Sequence, residues 1–157
     1  MKQSKINRRY FFDRMSGLHF EHYCAKLLQR NGYKKVTVTS ASMDQGIDII
    51  AYKHHTSYGI QCKKYSGKIG NKAVQEVYAG CCYYDLDVPV VMTNSFFTSS
   101  AKQLAERTDV ILWDRITLLS LKKHSLLTGF FSGLFLSLLV ILGLFLIIYY
   151  TRTLFFS

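Results

Sequence analysis

Three polar residues, Asp48, Gln61 and Lys63, interrupt two otherwise apolar stretches, Gly46-Ile47-Asp48-Ile49-Ile50-Ala51 and Tyr58-Gly59-Ile60-Gln61-Cys62-Lys63. Side chains along a strand alternate faces, so Gln61 and Lys63 share one face and Cys62 turns to the other. If the two stretches form a hairpin, Asp48 can join that face. A carboxylate, the Gln61 amide oxygen and the backbone carbonyl of Cys62 would then suit a hard divalent cation, magnesium (or manganese), which takes oxygen ligands and keeps several waters. Such a cation polarises a phosphate and makes a bound water easier to deprotonate. Lys63 can orient that water or stabilise the charge that develops on the phosphate. Burying three polar groups together is costly without a purpose. The plainer reading has Asp48 capping a turn, Gln61 bonding a neighbour and Lys63 reaching solvent. For an isolated D…QxK pattern it is the commoner one.

The flanking sequence must supply the elements that hold these residues. Leu18 to Arg30 carries Phe20, Cys24, Leu27 and Leu28 at helical spacing and stops at Asn31-Gly32. Lys34 to Ser40 alternates Val36 and Val38 with threonines and reads as a strand. After a polar loop, residues 47–52 and 57–63 form the two hairpin strands, with Lys53-His54-His55-Thr56 as the turn region. A metal role for His54 and His55 is less expected there than an ordinary turn. Asn71 caps a helix running to about Tyr84, Pro89 to Thr93 is a buried strand, Thr98 to Arg107 a helix, Val110 to Trp113 a last strand and Arg115 to Lys123 a short helix. The order α-β-β-β-α-β-α-β predicts an α/β sandwich around one central mixed β-sheet.

Around the hairpin, several short runs stand in a particular order. They are Phe20-Glu21, Gly32-Tyr33, Asp44-Gln45-Gly46-Ile47-Asp48-Ile49, Gln61-Cys62-Lys63-Lys64-Tyr65, the run from Gly70 to Glu76, and Met92-Thr93-Asn94-Ser95 followed by Phe97-Thr98. From about Ser16 to Leu119 this order resembles the Mrr-type restriction endonuclease family, a branch of the PD-(D/E)xK nuclease fold. The resemblance implies a restriction-endonuclease-like sandwich with Asp48, Gln61 and Lys63 as catalytic residues. It adds Glu21 as a supporting acid and Gln75 as a nucleic-acid-binding position near the site. Many relatives of the wider fold carry Glu where this chain has Gln61; one carboxylate fewer predicts weaker metal affinity. The implied activity is divalent-metal-dependent hydrolysis of phosphodiester bonds in DNA, in restriction of foreign or modified DNA. Two other classes remain open: a catalytically silent nucleic-acid-binding module, and a domain that binds acidic lipid.

The basic stretch after the hairpin suits phosphate contacts through Lys64, Lys68, Asn71 and Lys72 together with helix N-terminal amides. Asn94, at the end of a buried strand, is a further candidate. The plainer alternative is a solvated basic loop.

The whole chain of 157 residues has a net charge of +10 and is 49% hydrophobic, two properties that belong to different regions. Leu126 to Tyr150 contains no charged residue and no proline. As a helix it would be roughly 37 Å long at about 1.5 Å per residue, beyond the ~20 residues a bilayer core requires. All ten acidic residues and nineteen of the twenty basic ones precede it, so that part carries +9 and favours a polyanionic partner. Lys122, Lys123 and His124 stand before the run and only Arg152 follows it, which predicts a single-pass inner-membrane protein with its large domain cytoplasmic. Gly129 and Gly133 form a GxxxG compatible with helix pairing, a homodimer or a membrane partner. The expected organisation is a basic and aromatic lead-in over 1–15, the nuclease-like domain over 16–124, a transmembrane helix over 125–150 and a tail over 151–157. Cys24, Cys62, Cys81 and Cys82 show no metal-binding spacing and are expected to be reduced, with Cys81 and Cys82 packing as small apolar residues.

Overall fold

A computed structural model describes residues 10–39, 45–122, 137–138 and 140–144. The chain divides into two compact units, Met1–Lys122 and Lys123–Ser157. The first begins with a short 3₁₀ turn, Phe11–Arg14, followed by helix α1, Gly17–Arg30. Ser16 starts α1 by accepting from the His19 amide through its hydroxyl. Asn31 closes it and donates to the carbonyls of Leu27 and Leu121.

Five strands follow: β1 (Lys34–Val38), β2 (Ile49–Lys53), β3 (Thr56–Lys63), β4 (Val88–Thr93) and β5 (Ile111–Trp113). Their order across the sheet is their order in the chain. β1, β2 and β3 are antiparallel neighbours: a turn of two residues, His54-His55, reverses the chain between β2 and β3, and a longer connection over residues 39–48 joins β1 to β2. β3, β4 and β5 are parallel, because helices α2 (Asn71–Tyr84) and α3 (Ser99–Arg107) carry the chain back between them. Residues 115–122 form a last helix, α4.

The alternation of side chains along β3 and β4 divides the apolar residues between two cores. Ile49, Ala51, Ile60, Cys62, Val90 and Met92 pack against Phe20, Cys24, Leu27 and Leu28 of α1, with Phe12 and Leu118 closing the layer. Ile47 and Val91 face the other way, onto Val74, Val77 and Cys81 of α2 and Ala101 and Ala105 of α3. Each fully buried aliphatic or aromatic side chain contributes about 1.5–3 kcal/mol relative to exposure. The lead-in is part of this packing: Phe12 is fully buried. Asn71 caps nothing, since the N-cap of α2 is Gly70 and no side chain bonds there. Cys81 is buried as expected, whereas Cys82 is exposed, one position further round the helix.

No helix among the described residues is long and apolar enough to cross a membrane, so the described structure does not support the expected span. Most of residues 125–150 lie outside the described residues. Those described, 137–138 and 140–144, are helical, and Leu138, Val140, Ile141, Leu142 and Leu144 are exposed.

One close approach positions the site. The loop before β2 lies directly on α2: a Cβ on Gly46 would stand 2.6 Å from the Glu76 carbonyl oxygen, and one on Gly80 would stand 2.6 Å from that of Gln45. Gly46 also has φ +84°, where a side chain is strained. Gly46→Ala combines an unfavourable left-handed backbone with an overlap against main chain. We expect a loss of about 2–4 kcal/mol in chemical denaturation, and the substitution should also move Asp48 away from α2.

Candidate active site

Asp48 ends the loop that enters β2, and its amide donates to the Ile60 carbonyl, which fixes it beside the far end of β3. It is 7% exposed. Its Oδ2 accepts from the Cys62 amide at 2.5 Å and from the Gln61 side-chain Nε2. Both bonds go to one oxygen, so Oδ1 remains for another partner. Cys62 presents its N–H to Asp48, and in an antiparallel pair a residue's carbonyl points to the same side as its N–H. The Cys62 carbonyl is therefore on the strand edge that Asp48 occupies. Its thiol is on the opposite face, where a hydrogen bond with the Cys24 thiol and burial push it well above its ordinary pKa. That thiol belongs to the core.

Lys63, two residues beyond Gln61, shares its face and reaches α2. Its ammonium lies 2.9 Å from Glu76 Oε2, an oxygen otherwise buried without a hydrogen-bond donor. Glu21, on the border of the buried stripe of α1, closes the arrangement. Together Glu21, Gly46, Asp48, Gln61, Lys63 and Glu76 line a single cleft of about 290 Å³. Burial pushes the Asp48 carboxyl from its ordinary 3.8 up to about 6. The nearby Glu21 charge adds to that rise, while the Cys62 amide, Gln61 and Lys63 oppose it.

The structure thus brings Asp48, Gln61, Lys63 and Glu21 together. Gln75 stands elsewhere. At about 100° per residue it lies nearly opposite the buried stripe of Ala73, Val74, Val77 and Gly80, and it is exposed. Glu76, one residue on, falls on the border of that stripe and enters the cleft. Helical spacing alone could have selected Glu76 over Gln75, given a helix beginning at Asn71.

A second, adjoining cleft of about 260 Å³ shares Lys63 and Glu76 and is lined by Lys64, Tyr65, Lys68 and Lys72. Asn71 is exposed at the start of α2 and does not line it. The loop carrying Lys64 and Lys68 is held from below. Thr93 donates to the Lys63 carbonyl, Ser95 to the Gly67 carbonyl, and Ile69 pairs with Phe97. Asn94 belongs to this support rather than to the surface. It is 4% exposed, accepts from the Tyr65 amide and donates to Asp13, which in turn holds Arg115 through a forked ion pair. With both ends of its amide engaged, Asn94 is not available to a phosphate.

The donor set fits a hard divalent cation. The Asp48 and Gln61 side chains meet at the strand edge that carries the Cys62 carbonyl, and Glu21 and Glu76 line the same cleft and add negative charge. Among the described residues no group of three or more His, Cys, Asp or Glu side chains is placed to hold a metal ion.

A family model described as restriction endonuclease, Mrr_cat, matches residues 12–122, and the chain belongs to that family. Catalytic domains of restriction endonucleases generally use divalent metals. No curated protein matches the chain significantly. Among solved structures, a protein of unknown function, AF1548, is 22% identical with a TM-score of 0.54, covering 66% of this chain and 65% of its own. Can2 from Sulfobacillus thermosulfidooxidans, solved with cyclic tetra-adenylate, is 18% identical with a TM-score of 0.50, covering 71% of this chain and 35% of its own. The DNA modification-dependent restriction endonuclease AspBHI is 16% identical with a TM-score of 0.53, covering 77% and 37%. At these identities the likeness shows a shared fold. The chain spans about two-thirds of the first structure and little more than a third of the other two.

The Asp48 carboxyl prefers its proton in the folded chain, so in metal-free buffer its contribution to stability is present below pH 3.8 and lost as pH rises through about 6. The gap corresponds to roughly 3 kcal/mol at most. Asp48→Asn should therefore be more stable than wild type at neutral pH, by up to that amount, with the advantage shrinking toward pH 4. Urea denaturation in a chelator at several pH values checks this.

Proposed function

We propose that the chain is a divalent-metal-dependent endodeoxyribonuclease that hydrolyses phosphodiester bonds, with magnesium (or manganese) as its metal, in restriction of foreign or modified DNA. The observation that carries this reading is the convergence of Asp48, Gln61, Lys63, Glu21 and Glu76 on one cleft that continues into a lysine-lined one. Asp48, Gln61 and the Cys62 carbonyl would hold the cation. When bound, the cation supplies Lewis-acid polarisation of the phosphate and an activated water. The remaining work falls to the protein. Lys63, tethered by Glu76, places its ammonium where charge develops on the phosphate oxygens. Lys64, Lys68 and Lys72 fix the neighbouring phosphates and so the register of the strand. The buttressed loop beneath Lys64 and Lys68 keeps that spacing rigid, which favours positioning over adaptability.

The uncharged run 126–150, with Lys122, Lys123 and His124 ahead of it, supports tethering of this nuclease to the cytoplasmic face of the inner membrane. Fractionation of cells producing the full chain tests it. Recovery in the membrane pellet after a high-salt wash is expected, and recovery in the soluble fraction would count against the tether.

The activity itself is tested by nicking and linearisation of plasmid DNA, modified and unmodified, with magnesium. Asp48→Ala should lower the cleavage rate about a thousandfold, and Lys63→Ala about a hundred- to a thousandfold, with DNA still bound. Binding without cleavage by the wild type, across all substrates, would leave a silent DNA-binding module instead.

A further inference from the structure

The β2–β3 turn carries a second charged cleft, about 380 Å³, at the end of the sheet opposite Asp48 and Lys63. The eight residues of β3 put it roughly 23 Å from the active site at about 3.3 Å per residue. Lys34, Lys35, Tyr52, Lys53, His54 and His55 line it, and no carboxylate does. Its lysines are placed rather than trailing. Lys53 lies 4.7 Å above the Tyr33 ring and donates to the Asn31 carbonyl, and Lys35 lies 5.8 Å from the Tyr52 ring centre. Tyr52 is exposed in their midst.

The backbone here is strained as well. Six described residues other than glycine have left-handed φ, and three of them, Lys35, His54 and His55, line this cleft. A two-residue hairpin turn with both residues left-handed is ordinarily Asn-Gly. This chain puts two histidines there, at φ 50° and 68°, and a lysine at φ 47° beside the irregularity in β1. Left-handed backbone at three basic residues, none of them replaced by glycine, thus gathers around one cleft.

We propose that this cleft is a second nucleic-acid site, which takes the phosphates of a DNA segment other than the one at Asp48. The choice of DNA rests on the nuclease reading above. Three lysines with no carboxylate among them suit an anion. A nucleic-acid strand fits better than a lipid surface, because Tyr52 offers a ring for base or sugar contact. No other large apolar side chain is exposed on β1, β2, β3 or their turn, where a membrane contact would need one. Occupancy at both ends of the sheet would let one molecule hold two DNA segments, or two separated stretches of a bent one.

The test uses the full chain and a long fluorescent duplex in chelator, where no cleavage occurs. Lys34→Gln/Lys35→Gln should weaken binding about tenfold near physiological salt and reduce the slope of log affinity against log salt by about 2. In a second variant, His54→Asn/His55→Gly, the turn is relieved, and a higher melting temperature with weaker DNA binding is expected. Unchanged affinity and salt slope in the lysine variant overturn the proposal, as does a stabilised turn variant that binds DNA like wild type. A parallel arm uses vesicles of acidic phospholipid; vesicle binding lost on lysine substitution while DNA binding stands also overturns it. Failure of the wild type to cleave would sink the nuclease reading and would leave these binding measurements intact.

Discussion

The β2–β3 hairpin turns two positions thirteen residues apart into one buried polar cluster, and everything at the site hangs on the carboxylate it encloses. Asp48 is tied by its amide to β3 and by Oδ2 to the next amide along. These bonds fix its orientation without neutralising it. Burial and Glu21 work against its charge, so the ionised form is held at a cost in the metal-free protein. A cation placed against Oδ1 would reverse the sign of that cost. In this sense the site is pre-strained electrostatically rather than sterically.

The same strand pair decides what can approach. Because β3 is flanked on both sides, its two faces serve different ends. Cys62 packs with Cys24 in one core, while Gln61 and Lys63 turn toward α2 in the other layer. Helix α2 can come close enough to offer Glu76 only because Gly46 and Gly80 remove the side chains that would hold it off. The parallel arrangement of β3 and β4 then brings Thr93, Asn94 and Ser95 beneath the loop that follows Lys63, so a lysine-rich segment that would otherwise be loose is pinned from the sheet. Asp13 and Arg115 extend this bracing to the lead-in and to α4.

Much of this was legible in the sequence because its signals were local. Strand alternation put Gln61 and Lys63 on one face, the hairpin spacing admitted Asp48, and the ordered motifs identified the family. The β-strands and helices fall within two residues of their expected bounds wherever apolar periodicity was strong. What was not legible was partnership across the fold. Asn94 reads as a polar residue at a strand end, and only the tertiary arrangement shows both sides of its amide consumed by Tyr65 and Asp13. Glu76 was hidden because α2 had no assigned face, and Gln75 stood in its place. The strain at His54 and His55 depends on a left-handed turn that no composition rule would assign to two histidines.

Under the proposed function, the buried Asp48 carboxylate is kept for a divalent cation. Isothermal titration of magnesium into the full chain near neutral pH measures it directly, with two buffers of different ionisation enthalpy to count protons. Binding to wild type should release a fraction of a proton that grows as the pH is lowered toward 6, and Asp48→Asn should abolish the binding. Equal magnesium affinity in the two proteins would contradict the account.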